Sequence, residues 1–187
     1  YVQRYCGLYQ LPRFDRDDFE LGDLIAFGGF SNVYEVACFK VESELTEEPE
    51  HEKKKYVVKH LNPKLAFNPK TLVVVANDLV MEAHFLSASY HENIIKLRGW
   101  SAAGIAGFAA TGRADGFFLI LDRLEMTLAK KISHWREEAK ARKGLIKGRS
   151  SMKNQLFQDR LKVAISVGAA VKHLHERRIL FRDRRLT

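Results

Sequence analysis

The chain has 187 residues, a length that fits about one domain of roughly 150 residues. Hydrophobic residues make up 46% and charged residues 29%, which excludes a disordered, collagen-like or disulfide-framework chain. The net charge is +8, but residues 1–128 carry 14 Lys and Arg against 18 Asp and Glu, whereas residues 129–187 carry 17 against 5. The basic second part suits a phosphate-bearing partner, and its charge does not choose among nucleotide, phosphoprotein and nucleic acid.

Cysteine usage and hydropathy predict a cytoplasmic or nuclear protein. Cys6 and Cys38 stand far apart without metal-ligand spacing, so we expect reduced thiols and no metal site. No apolar run approaches the roughly 18 residues of a membrane span, and no membrane partner is expected. The chain begins at Tyr1 without an initiator Met, so we expect upstream sequence.

Apolar alternation and turn residues predict three strands before residue 62. Residues 21–36 alternate around Gly28 and Gly29, which indicates a β-hairpin. Residues 39–55 are acidic and then basic, as in an exposed insertion loop. Residues 56–61 are β-branched and short and predict the third strand.

The second half of the chain predicts helices and two further strands. Residues 71–89 have helical periodicity, and residues 93–100 and 117–121 read as strands joined by a loose Gly/Ala-rich stretch. Residues 127–141 predict a charged helix and residues 142–154 a basic, mobile linker. The last predicted helix, residues 155–176, has apolar residues on several sides and therefore needs burial. The stripe of the first helix consists of Val75, Leu79, Ala83 and Leu86.

Four groups of residues are candidates for chemistry. Backbone N–H groups at the Gly28-Gly29 turn can cradle phosphate oxygens, although a purely structural hairpin explains two glycines equally well. Lys59 alternates with apolar neighbours in its strand, so it either reaches solvent or meets an anion. Glu82 lies beside the apolar stripe of its helix, where it either pairs with Lys59 or is solvated. Asp183 could accept a proton and Arg185 could balance charge, or both are ordinary loop residues.

The order and spacing of these groups resemble the protein kinase family. The hairpin is similar to the family's glycine-rich loop, Lys59 to the lysine of its V-A-I-K strand, and Glu82 to its helix glutamate. His91-Glu92-Asn93-Ile94-Ile95 is similar to H-P-N-I-I, residues 118–124 to the fifth strand and hinge, and Phe181-Arg182-Asp183 to the H-R-D triplet. The resemblance covers residues 19–187.

This resemblance implies an α+β, protein-kinase-like fold with a five-stranded antiparallel N-lobe sheet, one helix and the beginning of a helical C-lobe. Residues 1–18 would be an N-terminal extension, 19–121 the N-lobe, 122–126 the hinge and 127–187 the start of the C-lobe. The implied activity is ATP-dependent and Mg²⁺-dependent phosphorylation of a protein substrate, with a serine/threonine preference.

The resemblance also implies roles for single residues. Lys59, Glu82, Asp183 as base and Arg185 would form the catalytic set. The ATP-binding residues would be Ala26, Phe27, Gly28, Gly29, Phe30, Ser31, Val33, Val57, Lys59, Leu121, Asp122 and Leu124.

Departures from the family pattern keep two alternatives open. Ala26 and Ser31 replace two glycines of the loop, and Phe181 replaces the triplet's histidine. The family's metal-binding Asn and D-F-G would follow Thr187, so we expect an incomplete and inactive fragment. One alternative is a pseudokinase or regulatory module that binds a partner. The other, a basic nucleic-acid-binding protein, is less favoured because its basic residues are not interleaved with aromatic ones.

Overall fold

The structure is a computed structural model that describes residues 10–42, 55–141 and 149–179. These residues form an α+β fold. The strands are β1 (Arg13–Phe14), β2 (Phe19–Phe27), β3 (Ser31–Phe39), β4 (Tyr56–Leu61), β5 (Leu97–Ser101) and β6 (Phe118–Asp122). The α-helices are α1 (Pro69–Ala88), α2 (Gly104–Thr111), α3 (Leu128–Ala141) and α4 (Arg149–Glu176).

The strands form one mixed sheet of six strands in the order β1-β5-β6-β4-β3-β2. Strands β2 to β6 pair antiparallel with their neighbours, whereas β1 runs parallel to β5. The prediction of a five-stranded antiparallel sheet is therefore wrong, because the sheet has a sixth strand that pairs parallel to its neighbour. The additional strand comes from residues 1–18, which the sequence predicted to be an extension outside the fold.

Burial of a single aromatic ring explains why so short a strand as β1 pairs at all. The Phe14 side chain is fully buried, and a Cβ at Gly99 of β5 would lie only 2.7 Å from its ring. Two backbone hydrogen bonds hold the same segment. Trp100 N donates to Pro12 O at 3.2 Å, and Ala102 N donates to Phe14 O at 2.8 Å. A two-residue strand has no alternation to detect, so the sequence pattern missed it.

A second anchor of the same segment is an ion pair. Arg16 Nε lies 2.9 Å from Asp115 Oδ2. Arg113 binds the same carboxylate through two of its guanidinium nitrogens, Nε and Nη2. The Arg113 and Arg16 guanidinium groups lower the pKa of Asp115 from 3.8 to about 2. The Asp115 carboxylate therefore stabilises the fold at neutral pH, and this contribution is lost as the pH falls through 3.8 toward 2.

The core lies on both faces of the two central strands, β4 and β6. On one face, α1 packs against the sheet through its predicted stripe, of which Val75, Leu79 and Ala83 are buried and Leu86 is partly buried. On the other face, aromatic side chains dominate, with Phe19 and Phe118 meeting edge to face at 5.1 Å between ring centroids. Because both faces are covered, β6 is apolar up to its last residue, Asp122, and β4 is apolar except for Lys59 and His60.

Several predicted boundaries differ from the structure. The Gly/Ala-rich stretch before β6 is not loose but contains α2, whose alanines favour a helix and whose end is capped by Gly112 in the left-handed conformation. The strand predicted at 93–100 begins only at Leu97. Helix α4 begins at Arg149, so the second half of the predicted linker is helical. Residues 43–54 of the predicted insertion loop and 142–148 of the linker lie outside the described residues.

Helix α1 also corrects the hydropathy expectation. Residues Lys70–Ala88 contain an 18-residue window of mean hydropathy 1.3, which meets the length and composition of a membrane span. A helix that packs on a sheet meets the same criterion, and this single match is weak evidence for a membrane. Glu82 lies in this helix and pairs with Lys59 of β4.

The described chain divides into two compact units. The first comprises residues 10–42, 55–90 and 94–123, and so contains the whole sheet with α1 and α2. The second comprises residues 91–93, 124–141 and 149–179, and contains α3 and α4. In the second unit Trp135 of α3 is buried, and Arg160 of α4 donates a hydrogen bond to its carbonyl oxygen (3.4 Å).

Candidate functional site

The first unit brings together the two charged residues that the sequence singled out. Lys59 lies in β4, where its register partners are Val33 of β3 and Leu119 of β6. Leu119 and Val33 pack in the core on the α1 side of the sheet, so the Lys59 side chain leaves the sheet on that side. Helix α1 passes over this face, with its N-terminus capped by the Asn68 side chain, which accepts from Thr71 N (3.2 Å).

Lys59 and Glu82 form a two-pronged ion pair. The Nζ atom of Lys59 donates to Oε1 of Glu82 at 2.7 Å and to Oε2 at 2.6 Å. The side chains are 21% and 36% exposed, respectively. The predicted contact is therefore confirmed, and the alternative in which Glu82 is solvated without a partner is wrong. Partial burial strengthens the attraction relative to a surface pair, while both groups stay accessible to a ligand.

The hairpin turn is near this pair along the sheet. Strand β3 begins at Ser31, directly after the turn, and Val33, two residues further on, is the register partner of Lys59. The Gly28 N–H donates to Ser31 O at 3.0 Å and closes the turn. The Asn62 side chain donates to Gly28 O at 2.6 Å, and Asn62 N donates to Phe30 O at 3.0 Å. Asn62 therefore ties the turn to the end of β4, a role that the sequence analysis missed.

The two turn glycines are not required by the fold. Neither Gly28 nor Gly29 has a positive φ. A Cβ at Gly28 would meet Ser31 O at an ordinary 3.6 Å, and a Cβ at Gly29 would meet nothing within 4 Å. The neighbouring Phe27 ring is 82% exposed, and Ala26 and Phe30 are exposed as well. The turn therefore presents a bare backbone to whatever approaches it.

The remaining predicted ATP-binding residues fall into two groups. Val33, Val57 and Leu121 share the α1 face of the sheet with Lys59, where Val57 and Leu121 are buried. Asp122 and Leu124 follow at the end of β6. Asp122 belongs to the first unit, whereas Leu124 belongs to the second unit and is 63% exposed.

The end of β6 is already hydrogen-bonded. Asp122 binds Arg98 through both carboxylate oxygens, at 2.7 and 3.2 Å, and its N–H donates to Lys96 O at 3.2 Å. Arg123 N donates to Lys55 O at 2.8 Å, and its guanidinium pairs with Glu35. Sequence patterns did not indicate these two ion pairs, because their partners come from different strands.

Asp183, Arg185 and the Phe181-Arg182-Asp183 triplet lie outside the described residues. Among the described residues, no group of three or more His, Cys, Asp or Glu side chains is arranged to hold a metal ion. No protein-family model matches this chain, and no curated protein matches it.

Proposed function

We propose that this chain carries the nucleotide-binding part of a cytoplasmic, ATP-dependent protein kinase that phosphorylates serine or threonine hydroxyls. The observation that supports this proposal is the Lys59–Glu82 ion pair beside the hairpin turn. A carboxylate that accepts hydrogen bonds from an ammonium through both of its oxygens fixes the position of that ammonium. A fixed ammonium is suited to bind the α- and β-phosphates of ATP.

The neighbouring residues fit the same ligand. Val33 lies on the face of the sheet that carries Lys59 and is only partly buried, so it leaves apolar surface of the kind that an adenine ring requires, whereas Val57 and Leu121 are buried. The exposed backbone at Gly29 suits the phosphates, and the absence of any structural need for glycine at positions 28 and 29 favours a ligand that approaches closely. By resemblance, Asp183 is the base that accepts the hydroxyl proton and Arg185 balances charge.

No group of three or more ligating side chains lies among the described residues, so we assign no magnesium ligand here. We therefore derive no step through the metal. The proposal concerns what Lys59, Glu82 and the turn do: they bind and orient the phosphates of the nucleotide.

The test is ATP binding to the full 187-residue chain, measured by calorimetry. We expect Lys59→Met to lower the affinity by about tenfold or more, because it removes charge-assisted hydrogen bonds to phosphate. Glu82→Gln should weaken binding less, since Lys59 keeps its charge but loses its fixed position. Lys64→Met, an exposed lysine in the segment between β4 and α1, is the matched control and should bind like the parent.

A glycine variant separates ligand contact from folding. Gly29→Ala should leave the free energy of unfolding close to that of the parent, because its Cβ enters open space. It should nevertheless lower ATP affinity, because the methyl group faces the approaching phosphates. Binding of ATP by Lys59→Met and Gly29→Ala at parental affinity would contradict the proposal.

A second candidate is a kinase-like module that binds a partner without using nucleotide. One observation favours it: the Gly28 N–H is consumed by Ser31 O and the Gly28 carbonyl by Asn62, so part of the turn's backbone is already satisfied. In that case the parent chain would not bind ATP, and Glu82→Gln would lower only the free energy of unfolding.

A further inference from the structure

Two histidines from distant parts of the chain meet in the second unit. His91 lies in the short segment that follows α1, and His173 lies near the C-terminal end of α4. Their ring centroids are 4.7 Å apart, and the ring planes are inclined at 46°. Both residues are partly exposed. Because histidine is the side chain that changes its charge near neutral pH, this contact is a candidate for control by pH.

Each of the two imidazoles accepts a hydrogen bond from a group that can only donate. The backbone N–H of Asn93 donates to Nδ1 of His91 at 3.1 Å, and the Arg177 guanidinium donates to Nε2 of His173. Neither donor has a lone pair to offer, so the nitrogen that receives each bond carries no proton. These bonds assign the ring protons to Nε2 of His91 and Nδ1 of His173. The contact therefore joins two neutral rings.

The surroundings of His173 oppose its protonation while His91 lies beside it. Partial burial, followed by the charges of Arg177 and His91, lowers the pKa of His173 from 6.5, whereas Glu176 raises it. The Glu176 carboxylate is shared with Lys172, whose Nζ lies 3.8 Å from its Oε1. The C-terminal carbonyls of α4 also favour a cation at His173. They act whether or not His91 is near, so they do not hold the two rings together.

We propose that the contact between His91 and His173 is a latch that holds residues 91–93 against α4 at neutral pH and opens in mild acid. When both rings are protonated, two imidazolium groups and the Arg177 guanidinium lie side by side, and like charges at this distance repel. Protonation also removes the acceptors of the Asn93 N–H and of Arg177, whose hydrogen bonds fix the orientation of the two rings. The latch does not depend on the nucleotide-binding function proposed above.

The experiment is an NMR titration of the full 187-residue chain from pH 7.5 to pH 5.0. Nuclear Overhauser cross-peaks between the two imidazole rings report the contact directly. We expect these cross-peaks at pH 7.5 and their loss at pH 5.0, together with a shift of the Asn93 amide signal. The amide signals of Leu119 and Ile120, which are fully buried in β6, should keep their folded positions, which separates opening of the latch from global unfolding. Cross-peaks that persist at pH 5.0 would overturn the proposal.

Three variants test the named groups. The double variant His91→Phe and His173→Phe keeps two planar rings that cannot be charged, so its ring contact should persist at pH 5.0. His91→Gln should raise the pKa of His173 toward 6.5, because it removes one of the causes that lower it. His175→Gln replaces an exposed histidine of the same helix and is the matched control, whose latch should open as in the parent. The proposal also fails if the double variant loses the contact at the same pH as the parent, if His91→Gln leaves the pKa of His173 unchanged, or if His175→Gln abolishes the opening.

Discussion

His60 shows how one strand serves two different environments. It is the neighbour of Lys59 in β4, but its side chain lies on the opposite face of the sheet and is buried. Its Nδ1–H donates to Leu61 O at 2.8 Å, and its ring stacks on Tyr34 with centroids 5.2 Å apart. Burial is the main reason that the pKa of His60 is lowered from 6.5, so the folded protein holds this imidazole neutral.

The lowered pKa of His60 predicts a pH-dependent stability. As the pH falls below 6.5, the unfolded chain binds a proton at His60 before the folded chain does, so acidification favours unfolding. We expect urea denaturation to give a free energy of unfolding that falls from pH 7.5 to pH 5.5, by at most about 1.4 kcal/mol per pH unit from this group. His60→Phe should flatten that slope.

Tyr34→Leu is the control for this prediction. It keeps the titrating ring but removes part of its cover, so it should lower stability at every pH and retain part of the slope, whereas His60→Phe removes the contribution of the imidazole. A parental slope in His60→Phe would show that another group is responsible.

At the scale of elements, β1 depends on complementarity between two residues far apart in sequence. Gly99 leaves the space that the Phe14 ring fills, and a Cβ there would also lie 3.0 Å from Pro12 O. A glycine in the middle of a strand is otherwise unfavourable, so its presence in β5 is explained by this close approach.

This packing predicts a non-additive pair of substitutions. Gly99→Ala should lower the free energy of unfolding by about 1–3 kcal/mol through overpacking, and Phe14→Ala by about 3–5 kcal/mol through the cavity it leaves. In the Phe14→Ala background, Gly99→Ala should cost much less, because the ring it collides with is gone. Chemical denaturation of the four proteins measures the coupling.

Gly168→Ala in α4 is the matched control for a glycine substitution. Its Cβ would meet nothing within 4 Å, so the variant should gain about 1 kcal/mol of helix stability, as alanine does over glycine. Equal costs of Gly99→Ala in both backgrounds would contradict the proposed contact.

At the scale of the whole molecule, the two units differ in how well they bury their apolar residues. The sheet of the first unit is covered on both faces. Helix α4 of the second unit leaves apolar side chains exposed to solvent, with Phe157 and Ile165 both more than 60% exposed. The sequence predicted that this helix needs burial, and the described residues do not supply it.

The exposed apolar side chains of α4 predict self-association of the chain, because apolar patches on a protein surface favour contact with one another over contact with water. We expect sedimentation velocity to show association that increases with protein concentration. The double variant Phe157→Ser and Ile165→Ser should reduce it, whereas Lys162→Ser on the same helix should not. A parent chain that stays monomeric throughout the concentration range would refute this expectation.

Local pattern was enough to predict several parts of this protein. The short β-branched run at residues 56–61 predicted β4, and the stripe Val75, Leu79 and Ala83 predicted α1, whose stripe is buried against the sheet. The positions of Lys59 and Glu82 within those elements made a contact possible without deciding it, because a carboxylate beside a core needs either a partner or solvent.

Other features depend on residues that only the folded chain brings together. The Phe14 ring against Gly99 and the Asn62 bonds to the hairpin turn each join segments with no local pattern in common. Side-chain periodicity reports which face of an element is buried. Which partner fills the space opposite is decided by tertiary packing, because shape and hydrogen-bond complementarity act between segments and leave no period in the sequence.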